Sequence, residues 1–208
     1  MKKRVLLLLL AAVILVGGSI YALNREPDLS NVTVKTNFMV GYPNYQTFEE
    51  LEDRANVIVQ ARFKGDRKTL NLEKNADMHP MLISLSKIKV DHVFTGGKLV
   101  AAGDTLQVYE EGYLQDNAYF SPAGYKWMTT QGEYLLFLSR IRPDEYTIVG
   151  AYQGKFDYTI TASHTEKPKD AAAFKAAFLD DTYEYFGEHM EKFNEHKKLA
   201  IAKYPQSK

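Results

Sequence analysis

The chain of 208 residues contains no cysteine. That excludes a disulfide framework, thiolate zinc sites, iron–sulfur clusters, a cysteine nucleophile and a lipid-modified N-terminal cysteine. It also lacks an excess of either charge, since 26 basic side chains balance 26 acidic ones. A dedicated nucleic-acid binder would show a basic surplus, so no nucleic-acid partner is expected. The histidines, His79, His92, His164, His189 and His196, form neither H-x-H nor H-E-x-x-H. The compact zinc-ligand spacings are therefore missing, and no metal site or other cofactor is read from the sequence. No G-x-S-x-G nucleophile turn occurs, and Gly96-Gly97 is not followed by the G-K-[ST] of a phosphate loop. Ser84, Ser86 and Ser121 have no activated context visible in sequence. Nothing in these patterns is a positive sign of catalysis.

What is present begins with an address. Met1-Lys2-Lys3-Arg4 is a positive n-region, followed by apolar residues from Val5 to Leu23 broken only by Gly17-Gly18-Ser19. Nineteen residues at helical rise span about 28 Å, close to the hydrocarbon core of a bilayer. Two readings of residues 1–23 stand side by side. A signal peptide would be cut after small residues, near Ile20-Tyr21-Ala22. An uncleaved anchor would keep the three positive charges in the cytoplasm, hold the protein at the membrane and leave the rest outside. Both predict an extracytoplasmic protein, anchored to the cell membrane or secreted. Beyond the n-region the chain carries 23 basic and 26 acidic residues, ordinary colloidal solubility rather than the mark of an anionic partner. With 45% apolar residues, the roughly 185 residues after the segment suffice for a core without disulfides or a structural metal.

Residues 24–46 mix polar, Pro and Gly positions with one alternating run, Val32-Thr33-Val34, and read as a linker with an edge strand. Thr47-Phe48-Glu49-Glu50 is a capping-box arrangement that predicts a short helix through Arg54. Residues 47–162 then read as a β domain. Val57, Val59, Ala61 and Phe63 share one strand face. A polar stretch from Lys64 to Pro80 reads as an interruption. Ile83 and Leu85 lie on the opposite parity from Ile88, Val90, His92 and Phe94, which predicts a bulge near Ser86-Lys87. Leu106 and Val108 mark another strand, and Glu133 to Leu138 reads as a strongly buried strand, apolar on both faces. Arg142-Pro143-Asp144-Glu145 and Gly154 mark turns before two more strands. Five or more strands on short turns predict a small antiparallel OB-like β-barrel, because closure removes exposed edges. From residue 163 to 208 the period becomes helical, with Asp170 as N-cap and Asp180-Asp181-Thr182 between two helices packed on the barrel.

The segments LEDRANVIVQARF, SKIKVDHVFTGGKLVAAGDTLQV, QGEYLLFL and YTIVGAYQGKF resemble a group of uncharacterised exported Gram-positive proteins. Their order is similar to that of netrin-like and tissue-inhibitor-of-metalloproteinase domains, whose core is an OB-type barrel. The resemblance covers roughly residues 47–157 and implies that fold. Inhibitors of that family present an N-terminal cysteine to a protease zinc. This chain has no cysteine, so that mechanism does not carry over and no functional residue transfers.

Side chains that could carry function are few. His92 shares a face with Val90 and Phe94, which suits either a core histidine bonded to backbone or, with a nearby carboxylate, part of a hydrolytic site assembled only in three dimensions. Glu184, Glu188, Glu191 and Glu195 fall at a 4-3-4 spacing and read as a soluble outer helix face. The remaining feature is aromatic. Tyr109, Tyr113, Tyr119, Phe120, Tyr125 and Trp127 crowd into nineteen residues that include the chain's one tryptophan. Rings with polar tips suit a protein, peptide or glycan partner, and Ser121-Pro122-Ala123-Gly124 is a turn able to display them. The competing reading is a loop folded over one end of the barrel, with its rings sealing the core. The functional expectation is a non-catalytic binding or interaction module of the cell envelope. An envelope hydrolase and a structural accessory of a membrane complex are the alternatives.

Overall fold

The computed structural model describes residues 28–36, 43–73 and 81–207, where the chain is mainly β with three helices. The leader or anchor segment 1–23 and His79 lie outside the described residues. Among the described residues no helix is long and apolar enough to cross a membrane.

The strands are β1 (Thr33–Lys35), β2 (Val57–Asn71), β3 (Leu82–Thr95), β4 (Thr105–Glu110), β5 (Tyr113–Gln115), β6 (Ala118–Phe120), β7 (Tyr134–Arg142), β8 (Glu145–Ile148) and β9 (Lys155–Asp157). The helices are α1 (Phe48–Asp53), α2 (Ala171–Leu179) and α3 (Met190–Lys203). A six-stranded mixed sheet runs in the order β2-β3-β4-β8-β7-β9, and β2 also pairs with β7. A smaller sheet has the order β1-β6-β5.

The strands are not all antiparallel, which corrects the sequence expectation. β4 lies parallel to β8, and β1 lies parallel to β6. Parallel neighbours need a long crossover, and residues 111–144 supply it for β4 and β8 by carrying β5, β6 and β7. Within that crossover Asp116 and Asn117 both have positive φ, 47° and 58°. Two such residues make the tight turn that joins antiparallel β5 and β6.

The ladder irregularity faces Ser86-Lys87, as expected, but β3 itself runs straight there. On β3, Ser84, Ser86, Ile88 and Val90 are all buried, and the register with β4 runs unbroken from Ser84 to Lys89. Instead Phe63 pairs with Ile88 and Arg67 with Ser86, so the extra residues belong to β2. Gly65, at φ 78°, takes the backbone through this irregularity. The polar stretch after Phe63 therefore continues the strand to Asn71. The two serines are polar residues inside the sheet. They lie inside because Ser84 Oγ donates to Gly112 O and Ser86 Oγ to the Glu110 carboxylate.

Leu135, Leu136, Phe137 and Leu138 are fully buried, as a run apolar on both faces requires. One side of β7 is covered by α1 through Phe48, whose ring meets Phe137 edge-on at 5.7 Å. The α1 cap forms with one change. Glu50 N donates to Thr47 Oγ1 at 3.2 Å, while the Glu50 carboxylate accepts from Gln46 N rather than from Thr47. Helix α2 starts where Asp170 accepts from Ala173 N at 2.8 Å. Helix α3 begins only at Met190, leaving residues 180–189 as a non-helical connection. Phe193 packs on Phe156 and Tyr204 on Phe137, while Lys203 pairs with Glu52 of α1 at 2.6 Å.

Candidate functional site

The six aromatic residues do not form one surface. Tyr119, Tyr125 and Trp127 are buried, with Trp127 only 6% exposed. The Tyr119 ring stacks on Phe178 at 4.3 Å, and its hydroxyl donates to Tyr125 O. Trp127 Nε1 donates to Gly112 O at 3.2 Å. The Arg67 guanidinium lies over its ring at 4.4 Å and over that of Phe63 at 4.2 Å. The other three rings are half-buried in two places. Tyr113 stacks on Phe120 at 4.6 Å within the small sheet, and the Tyr109 hydroxyl donates to Glu145 at 2.9 Å. Of the two readings of this segment, the burial of Trp127 and Tyr125 fits rings that seal one end of the core rather than an exposed patch.

What the rings seal is ionic. Glu110 is fully buried, and five donors converge on its carboxylate. Oε2 accepts from Arg67 Nη2 at 2.9 Å, from Arg67 Nε at 3.2 Å and from Ser86 Oγ. Oε1 accepts from the Tyr125 hydroxyl and from Met128 N, both at 2.9 Å. Arg67 Nη2 also donates to Met128 O at 2.5 Å. Such saturation is what lets an ionised pair remain inside a protein.

On the far side of Tyr125 and Tyr134 lies a cavity of about 260 Å³. Strand parity builds one wall. β9 pairs with β7 through Tyr134↔Asp157 and Leu136↔Lys155, so Lys155 and Asp157 share a face and Phe156 points the other way, onto Phe137 and Phe193. The loop 126–132 and the connection 181–184 supply the remaining walls. Asp157 Oδ1 accepts from Thr159 N at 2.8 Å and from Thr159 Oγ1 at 2.7 Å, closing a turn after β9. Gly132 is demanded by space: a Cβ there would lie 2.2 Å from the Tyr134 hydroxyl and 2.5 Å from Asp157 Oδ2.

Four ionisable groups lining this cavity are buried: Lys126, Lys155, Asp157 and Glu184. Glu184 accepts from Asp157 N and from Lys197 Nζ of α3. Burial pushes the Glu184 carboxyl above the usual range, while Lys197 and Lys155 pull it back. Lys126 Nζ donates to Asp180 O at 2.6 Å, and burial lowers its amine to about 8 against the opposing charge of Asp181. Lys155 is also lowered by burial, with Glu184, Glu110 and Asp157 acting in the opposite sense. Its ammonium lies 5.3 Å from the Tyr125 ring centre and 5.4 Å from that of Tyr134. The arrangement is a preformed polar pocket with fixed positive and negative groups.

The other sequence candidates fall apart in space. His92 is half-buried and packs edge-on against Phe94 at 4.7 Å, and no hydrogen bond or ion pair joins it to a described carboxylate. His189 caps α3 with positive φ, whereas His196 is buried within that helix. Glu184 is not on the outer helix face assigned to it, because α3 starts six residues later. Ser84 and Ser86 are buried on β3, while Lys87 and Lys89 are exposed. Among the described residues no three His, Asp or Glu side chains group as a metal site. Sequence reasoning missed Lys126, Lys155 and Asp157 and placed Glu184 on an outer helix face. The one usable signal was the alternation Lys155-Phe156-Asp157 after Gly154, which sets both charges on one strand face.

Compared with known proteins, the chain matches no family model and no curated protein.

Proposed function

We propose that this protein is a non-catalytic binding module of the cell envelope, exported by its N-terminal segment, with the cavity beside β9 as its ligand site. The observation that carries the reading is the buried set Lys126, Lys155, Asp157 and Glu184 around about 260 Å³ of space. Holding charges away from water is costly, and a chain with an apolar core already built gains nothing in stability by adding them. A small polar ligand gives them a use. The scaffold would be a five-stranded OB-type barrel. The pairings β2–β3, β3–β4, β4–β8, β8–β7 and β7–β2 return to their starting strand, which supports closure.

The site reading is tested by retention. Soluble glycan and peptide fragments released from cell wall are passed over the immobilised full chain, and bound molecules are identified by mass spectrometry. Gln131 is exposed at the mouth of the cavity, so Gln131→Trp should plug it without disturbing the core. The expected result is retention of a small polar fragment by the wild type and its loss in Gln131→Trp. Equal retention by both proteins, or none by either, sinks the reading. Export is tested separately. The positive charges at residues 2–4 orient the remainder outward, so a reporter active only in the cytoplasm and fused after Lys208 should stay silent. An active fusion would place the domain inside the cell.

A further inference from the structure

Lys155 is 3% exposed. Among the described residues no carboxylate comes within ion-pair distance of its Nζ and no acceptor within hydrogen-bond distance. Its only close polar-face contacts are the two tyrosine rings. The other cations around it, buried or half-buried, are provided for. Arg67 is held by Glu110, Lys197 by Glu184 and the Ile160 carbonyl, and Lys126 by the Asp180 carbonyl. The carboxylates nearest Lys155 are occupied as well. Glu110 takes Arg67, Ser86, Tyr125 and Met128, and Glu184 takes Lys197 and the Asp157 amide, while Asp157 Oδ1 takes Thr159 and no ion pair joins Asp157 to Lys155. A buried ammonium without an anion or acceptor is the expensive half of an ion pair. The space open to that ammonium is the cavity that Lys155 lines.

We infer that the ligand of this cavity carries a carboxylate, and that Lys155 receives it. The inference rests on the cavity being the ligand site. The walls themselves argue for a single negative charge. Asp157 and Glu184 on the wall and Asp181 at the mouth would repel the second charge of a phosphate dianion, whereas a monoanion satisfies Lys155 and no more. The same acceptors suit donor groups on the rest of the ligand. A cavity of about 260 Å³ has room for a small hydroxy acid or an acylated amino acid.

The probes are N-acetylalanine, its uncharged isostere N-acetylalaninamide, and inorganic phosphate, titrated calorimetrically into the full chain. N-acetylalanine should bind more tightly than the amide by about tenfold or more, the worth of one charge-assisted hydrogen bond, and more tightly than phosphate. Lys155→Met should erase that difference by weakening the acid and leaving the amide unchanged, with the fold verified by circular dichroism. Lys155→Arg should recover part of it. Equal binding of acid and amide by the wild type, or an acid affinity unmoved in Lys155→Met, overturns the inference. So does tighter binding of phosphate. No binding of any probe also overturns it, and the retention test then decides separately whether the cavity is a ligand site at all.

Discussion

Glu110→Ala is expected to destabilise the protein by about 3–5 kcal/mol, the loss seen when one member of a buried ion pair is removed. The carboxylate is fully buried and receives Arg67, Ser86, Tyr125 and Met128 N. Truncation leaves the Arg67 guanidinium packed against the Phe63 and Trp127 rings with no counter-charge, and leaves three further donors without an acceptor. Unsatisfied groups of that kind cost more than the original bonds contributed. Urea unfolding monitored by Trp127 fluorescence measures the change directly. A loss below about 1 kcal/mol, the level of an ordinary surface substitution, would mean that Arg67 finds water instead.

Trp127→Ala should cost about 3–5 kcal/mol, the range for emptying a buried aromatic site. The indole packs edge-on against Tyr119 at 4.5 Å, covers Arg67 and donates to Gly112 O. Its removal opens a void beside a buried cation, so the cavity cost and the exposure of Arg67 act together. Had the aromatic loop been a display surface, the same change would leave thermal unfolding almost where it was and weaken only partner capture. Calorimetric unfolding of the variant separates these outcomes. A near-wild-type transition would return Trp127 to the surface and reopen the loop as a binding face.

The strands that sequence makes plain are those whose neighbours are apolar. Val57 to Phe63 and Tyr134 to Leu138 announce themselves because burial there needs nothing but hydrocarbon. The caps at Thr47 and Asp170 are legible for a similar reason, since a side chain and an amide three residues apart settle them locally. Lys64 to Asn71 is also strand but reads as loop, because its outward residues are charged and its inward Arg67 is charged too. The β5–β6 hairpin hides behind Asp116-Asn117, a turn pair that is easily taken for loop polarity. The candidate site was the least legible part. Arg67 and Glu110 stand 43 positions apart, and sequence alone assigns lone Glu and Lys residues to the surface. Only the pairing of β7 with β9 and the docking of α3 bring Lys155, Glu184 and Lys197 into one place. The aromatic cluster drew attention because it was dense. Its density is that of a lid over the ionic centre.

One contact sets a clock. Glu184 is held between the amide of Asp157 on β9 and the ammonium of Lys197, which lies in the last helix of the chain. A polypeptide is made from its N-terminus, so every strand of the six-stranded sheet is complete before Lys197 exists. Until α3 docks, Glu184 would be a carboxylate asked to leave water with no counter-ion, and the connection that carries it has little reason to close over β9. The cavity wall is therefore completed only after the sheet. The same helix brings Phe193 and Ala200 into the core, so its docking covers the sheet and closes that wall in one step.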